Sequence, residues 1–310
     1  MRSAGWALLL LALPAGAYER SKNSAGLCTW WASRGHSFQI DSQGTPDVTP
    51  VADAFDAIRR SFQTWSQVTC SDLAFAEEAL STDPANRKVG YFNPGPNHNL
   101  VLFRTRACSA AVPSGDACRT QGGCSNLYDC WDDGQSSSVI ASTLVTSNRQ
   151  TGEILDTDIE MNDAPRGSAA AFKFAVIGTC AGSQSDCGID VQNTVTHEAG
   201  HTLGLDHSAN PSATMYASGP PGETSKRDLF DDDIQGICAI YPKGAATVTC
   251  VPPDSGGCGC SAAQTGPGAA LWTLLLLLQI SRRSRRRPQL PIKASTKPAA
   301  TARSQSGSEN

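Results

Sequence analysis

DVQNTVTHEAGHTLGLDHSANPSATM, residues 190–215, decides the fold and the chemistry of this chain. His197 and His201 are four apart, so on a helix they stand one turn from each other on one face. That spacing lets two imidazole nitrogens reach one metal ion. Glu198 is next to the first of them, placed to reach a water on the metal rather than the metal itself. Gly204 comes three residues after His201, and glycine takes the left-handed conformation that ends a helix and turns the chain back. His207 then returns as a third ligand from outside the helix. Three histidines leave the fourth position of a tetrahedral zinc open for water, the arrangement of a reactive site rather than a structural one. Zinc in that place acidifies the water and can polarise a bound carbonyl, while Glu198 moves the proton. The competing reading is a surface helix that happens to carry two histidines. Gly204, His207 and Met215, following in order, argue against it.

The pattern HExxHxxGxxH over His197–His207, with Met215 in SATMYAS eight residues later, resembles the metzincin metalloproteases, which carry a methionine turn beneath the zinc. The flanking sequence extends the resemblance. His36–Ile40 (HSFQI) predicts a first strand. Thr49-Pro50 predicts a cap followed by proline at the first helical position. Val51, Phe55, Ile58, Phe62 and Trp65 then recur at spacings of four and three, the apolar stripe of a helix. Asp72–Glu77 alternates like a strand. The strings FQTWSQVT, LAF, GEILDTDIEMND and DDDIQGICAIYP are similar to stretches of matrixins, a metzincin subfamily.

The resemblance implies an α+β fold of metzincin type: a twisted, mostly parallel sheet with the active-site zinc helix packed beneath it and a C-terminal helix over Asp231–Tyr241. It implies a zinc endopeptidase acting on protein or peptide substrates, with His197, His201 and His207 on zinc, Glu198 as general base, and Gly204 and Met215 as structural support. Metzincins that use tyrosine as an extra ligand place it two residues after the methionine, so Tyr216 is not counted among the ligands. The loop Ser218–Thr224 falls where the family builds part of the wall of the pocket for the residue after the scissile bond. The alternative function is a catalytically silent module that keeps the fold for binding at a surface.

Asn99–Arg104, Ser138–Ser147 and Glu153–Met161 predict further strands, the last two joined by a turn over Asn148–Gly152. Asp156, Asp158, Glu160 and Asp163 offer hard oxygen ligands for Ca2+, but a solvated strand face is the favoured reading. Several matrixins hold a structural zinc near this stretch. Here only His36 and His98 lie outside the motif, too few for a three-histidine site. Twelve cysteines point to an oxidising compartment. Cys108, Cys118, Cys124 and Cys130 mark an insertion, residues 108–130, held by two disulfides, with a four-cysteine zinc cluster as the alternative. Cys180 and Cys187 are expected to pair beside the entry of the zinc helix, which Asp190 caps. No PRCG-like motif is present, and Cys28 is expected in a disulfide, so latency by a cysteine switch is not expected.

The ends differ in composition from the body. Residues 1–17 combine Arg2, the apolar run Ala7–Leu13 and the small residues Ala15-Gly16-Ala17, the features of a secretory signal peptide cut before Tyr18. Residues 18–243 form the expected protease domain, followed by a Gly/Pro/Ser-rich linker, 244–268, containing GCGCS at 257–261. Residues 269–287 hold a short hydrophobic run and an arginine cluster, and 288–310 are a low-complexity tail expected to be disordered. Cysteines, a short apolar run and arginines together resemble the MYXO-CTERM sorting tails of myxobacterial surface proteins. That resemblance implies sorting or anchoring machinery as a partner and a place at the outer cell surface. The formal net charge of −4 hides a split: residues 281–310 carry eight Lys and Arg against Glu309 alone, so residues 18–280 are strongly acidic. An acidic body argues against nucleic acid as a partner. A monomer is expected.

Overall fold

The computed structural model describes residues 18–132, 138–165, 171–178 and 186–250. The expected signal peptide, the GCGCS motif, the hydrophobic run and the terminal tail lie outside the described residues, as does Cys180.

The chain opens with β1 (Glu19–Arg20), β2 (Gly35–Ile40), α1 (Val51–Ser66), β3 (Ala74–Glu77) and β4 (Leu100–Arg104). The cysteine-rich insertion follows as three short helices, α2 (Cys108–Ala111), α3 (Cys118–Gln121) and α4 (Cys124–Tyr128). Then come β5 (Ala141–Ser147), β6 (Ile154–Asn162), β7 (Phe174–Ala175), β8 (Ile189–Asp190), α5 (Val191–Thr202), β9 (Leu205–Asp206) and α6 (Asp231–Ile240). The main sheet runs β3-β2-β4-β6-β5. Its pairings are parallel except for β5, which lies antiparallel to β6 at one edge. This is the α+β, mostly parallel arrangement expected.

The apolar stripe of α1 explains its packing. Phe55, Ile58, Phe62 and Trp65 are buried, whereas Asp53, Asp56 and Arg60 on the other face are exposed. The stripe joins Phe38, Val101, Ile159 and Met161 of the sheet and Val195 and Ala199 of α5 in one core, so α1 and α5 pack against each other and both against the sheet. The start of α1 differs from the sequence reading by one residue. Pro50 occupies the cap in extended conformation (φ −70°, ψ 150°), and no side chain caps the helix. The pyrrolidine ring fixes φ at a value common to both places, and only ψ separates the cap from the first helical residue.

A second correction concerns the acidic face of β6. Asp156, Asp158 and Asp163 are buried and Glu160 is half-buried, not solvated. The sequence alternation is real, but the loop after β3 and the insertion cover that face. Asp158 accepts from the backbone N–H of Gly90 and of Leu100, and Asp163 accepts from the Thr45 hydroxyl at 2.9 Å. Asp156 and Asp158 are buried neighbours, and one carboxylate beside another out of water favours a proton on one of the two. Burial, reinforced by Asp156, pushes Asp158 up to about 8, and burial pushes Asp163 up to about 6. Glu160 binds the Arg104 guanidinium at 2.7 Å. Arg104 also pairs with Asp129 of the insertion at 2.8 Å, and Arg87 pairs with Asp129 and with Asp41. These two buried arginines tie the insertion to the sheet.

The insertion carries two disulfides, Cys108–Cys130 and Cys118–Cys124, so its thiols are not free to bind zinc. Cys28 pairs with Cys250 and Cys70 with Cys238, fastening both ends of the domain. Cys187 is disulfide-bonded. Among the described residues, no helix is long and apolar enough to cross a membrane.

Candidate metal centre

Helix α5 begins where the Asp190 side chain accepts from the N–H of Asn193, as its place before the helix predicts. Arg227 braces the same carboxylate through Nε at 2.8 Å and Nη2 at 2.5 Å. The far end is held by residues remote in sequence. The last carbonyls of a helix have no partner within it. Here the Trp31 indole donates to Thr202 at 2.7 Å and the Tyr241 hydroxyl donates to Leu203 at 2.9 Å. Nearly two turns earlier, the Trp65 indole donates to the Thr196 carbonyl at 2.8 Å.

The chain leaves α5 through Gly204, whose φ of +84° is the left-handed value that glycine adopts at low cost. A side chain there would also run into the Thr29 carbonyl. The turn leads into β9, which pairs antiparallel with β1, and delivers His207 opposite the helix. His197, His201 and His207 thus converge, with candidate ligand atoms all within 4.8 Å of one another. His197 Nδ1 donates to the Thr214 carbonyl at 2.7 Å, and His201 Nδ1 donates to the Leu205 carbonyl at 2.9 Å. A carbonyl only accepts, so both protons sit on Nδ1 and both Nε2 lone pairs are free. Nε2 of His201 and Nε2 of His207 stand 3.2 Å apart. Four-coordinate zinc with bonds of about 2.0–2.1 Å spaces its nitrogen ligands by roughly that distance. Burial holds the His197 imidazole well below its usual value, which keeps it in the neutral form a metal needs. The donor set fits zinc.

Glu198 faces the same space. Its carboxylate accepts from the Thr143 hydroxyl of edge strand β5 at 2.6 Å. Burial pushes the carboxyl above its ordinary value, against the opposing effects of His201 and Thr143. Met215 lies buried under α5, and a Cβ on Gly200 would come within 2.2 Å of its sulfur, so the helix needs glycine there. The turn that carries Met215 is held by Asp233 of α6. Its carboxylate accepts from the N–H groups of Thr214 (2.7 Å), Met215 (3.0 Å) and Phe230 (2.9 Å). Tyr216 is half-buried beyond the turn. His36 and His98 lie elsewhere: His36 packs on Trp31, and His98 pairs with Glu78.

A cavity of about 460 Å³ opens beside the histidines. His197, Glu198, Ala217–Pro220, Glu223 and Lys226 are among its walls. Thr143, Asp233 and Lys226 were not singled out by sequence reasoning. The acids opening α6 were legible as a helix start, but the contact with the methionine turn was not.

A sequence model of the matrixin family matches residues 29–242. Local matches were found to metalloendoproteinase 1-MMP of Arabidopsis thaliana (46% identity over 57 residues, 18% of this chain and 15% of that protein). Human matrilysin matches at 42% over 59 residues, 19% of this chain and 22% of that protein. Human neutrophil collagenase matches at 56% over 45 residues, 14% of this chain and 10% of that protein. The matched stretches cover less than a quarter of each relative's length. The family model, in contrast, takes in the main sheet from β2 onward, the zinc-helix motif and the closing helix together, and the chain belongs to the matrixin family.

Proposed function

We propose that this chain is an exported, zinc-dependent endopeptidase with His197, His201 and His207 as metal ligands and Glu198 as general base. The observation that carries the reading is the pairing of two things in one cavity. Three imidazoles turn toward a common point, those of His197 and His201 with their outer nitrogens anchored, and a buried carboxylate stands beside them.

Zinc, when bound there, supplies Lewis-acid polarisation and makes water a better acid. The protein's own groups do the rest. Glu198 takes the proton of the attacking water and later delivers it to the departing amine. Thr143 fixes the carboxylate, and burial raises its basicity toward that task. Gly204 sets the angle at which His207 returns, while Met215, held by Asp233, supports the helix from below. A catalytically silent binding module would have no use for Glu198 in this place.

The disulfides Cys28–Cys250, Cys70–Cys238, Cys108–Cys130 and Cys118–Cys124 and the expected leader at 1–17 support export. The proposed organisation is a signal peptide at 1–17, the matrixin domain at 18–243, a linker at 244–268 and a MYXO-CTERM-like sorting segment beyond it, with final attachment at the outer cell surface.

The test is metal content and processing of the purified mature protein. One zinc per chain is expected, lost in His201→Ala, together with an intact mass that lacks residues 270–310. Stoichiometric zinc retained by His201→Ala would overturn the ligand assignment. A surface-located product that still carries the tail would overturn the sorting reading.

A further inference from the structure

The cavity beside His197 and Glu198 holds a buried cation. Lys226 sits in the short turn Ser225–Arg227, and its backbone N–H donates to Asn193 Oδ1 at 2.8 Å, which docks the turn on α5 one turn before His197. Its side chain is only 8% exposed. Nζ donates to the carbonyls of Tyr216 at 2.6 Å and Ser218 at 3.0 Å, on the loop that forms the opposite wall. An ammonium has three N–H donors, so one is left over.

The carboxylate within reach is poorly placed to take it. Glu223 Oε2 stands 3.8 Å from Nζ, beyond hydrogen-bonding distance, while Oε1 accepts from the Ser225 hydroxyl at 2.8 Å. Asp190, on the same wall, is matched by Arg227. Among the described residues Lys226 keeps an unused donor and only this long ion pair with Glu223; a buried ammonium so placed is costly, and a ligand group that completes it gains correspondingly. The rest of the cavity suits an aliphatic stem, since Val139, Ile140 and Ile189 line it.

We propose that Lys226 makes this pocket selective for a long side chain ending in a carboxylate or, second, a carboxamide. On the residue after the scissile bond, glutamate is favoured over glutamine and both over leucine. The proposal rests on the endopeptidase reading above and goes beyond it in naming the substrate class. A glutamate carboxylate supplies both the missing acceptor and a negative charge closer than that of Glu223. Glutamine supplies the acceptor alone, and leucine leaves the donor bare.

The test uses the zinc-loaded protein and three peptides that differ only in glutamate, glutamine or leucine after the scissile bond. The expected ratio of kcat/KM for glutamate over leucine is about tenfold or more, the worth of one charge-assisted hydrogen bond. Lys226→Met should bring it to one or below. Glu223→Gln, which removes the competing carboxylate and keeps the lysine, should raise it. A second arm measures, by calorimetry on the Glu198→Gln variant, the Kd of hydroxamate peptides carrying glutamate or leucine at that position. This arm reads the pocket whether or not a peptide is cut. Leucine preferred by the parent protein in both arms overturns the proposal, as does a ratio that Lys226→Met leaves unchanged. If Lys226→Met fails to fold, a Glu223→Gln ratio equal to or below the parent's overturns it. If no peptide is cut but glutamate hydroxamates bind more tightly, the endopeptidase reading falls and the pocket assignment stands.

Discussion

Tyr241→Phe should destabilise the domain far more than the loss of one oxygen suggests. The Tyr241 ring is fully buried, and its hydroxyl is a two-way bridge. It donates to the Leu203 carbonyl at 2.9 Å and accepts the Trp31 N–H at 3.1 Å. Burial raises the phenol well above its usual value, so the proton stays on through the working pH range. Phenylalanine keeps the ring, and with it the stacking of Arg34 5.2 Å from the ring centre, but it leaves both polar groups bare in the core. A buried polar group without a partner costs about 1–3 kcal/mol, so the pair amounts to about 2–6 kcal/mol. The site should feel the same change. Leu203 directly precedes Gly204, and the geometry of that turn aims His207. Urea unfolding of the zinc-loaded protein checks the first claim through a lower midpoint at constant slope. Zinc affinity, measured by competition with a chelator, checks the second. A loss below about 0.5 kcal/mol, with zinc affinity unchanged, would refute the view that this bridge secures the end of the zinc helix.

Other outcomes follow from the same structure. Asp158 is raised to about 8 against an ordinary 3.8, so across that interval the folded state holds a proton that the unfolded state releases. Its contribution to stability is full below the ordinary value and is lost as pH rises through 8, at no more than about 1.4 kcal/mol per pH unit. Asp158→Asn should therefore show a flatter, less negative slope of stability against pH between 5 and 8 than the parent. Identical slopes in urea titrations would contradict a proton held on that pair. Replacing Cys70 and Cys238 together by serine opens a link spanning 168 residues and should remove about 2–5 kcal/mol. Calorimetry showing an unchanged Tm would contradict that link. Glu198→Gln should retain fold and zinc while losing peptide hydrolysis by about 10²–10⁴-fold.

The zinc helix was legible because its information is local. Ligand spacing, cap and glycine turn all fall within Asp190–His207, and the apolar stripe of α1 repeats over sixteen residues. The sheet strands were legible from alternation, with ends shifted by a residue or a few. What escaped depends on contacts made only after folding. Local alternation reads the acids of β6 as a solvent face, because Arg87, Arg104 and the insertion that covers them come from other parts of the chain. Thr143, Asp233 and Lys226 meet the site from a strand, a helix and a turn, and none carries a spacing that marks it. Two-residue strands such as β7 and β8 are too short for any periodicity to appear.

The central claim is that Glu198, unlike the three histidines, acts on water without holding the metal. It is tested most directly by measuring zinc content and peptide hydrolysis on the same samples of the parent protein and of Glu198→Gln. The account predicts one zinc per chain in both, with hydrolysis in the variant lower by about 10²–10⁴-fold. Near-parental hydrolysis by the zinc-loaded variant would contradict it, and so would a parent protein that binds one zinc and cuts no peptide.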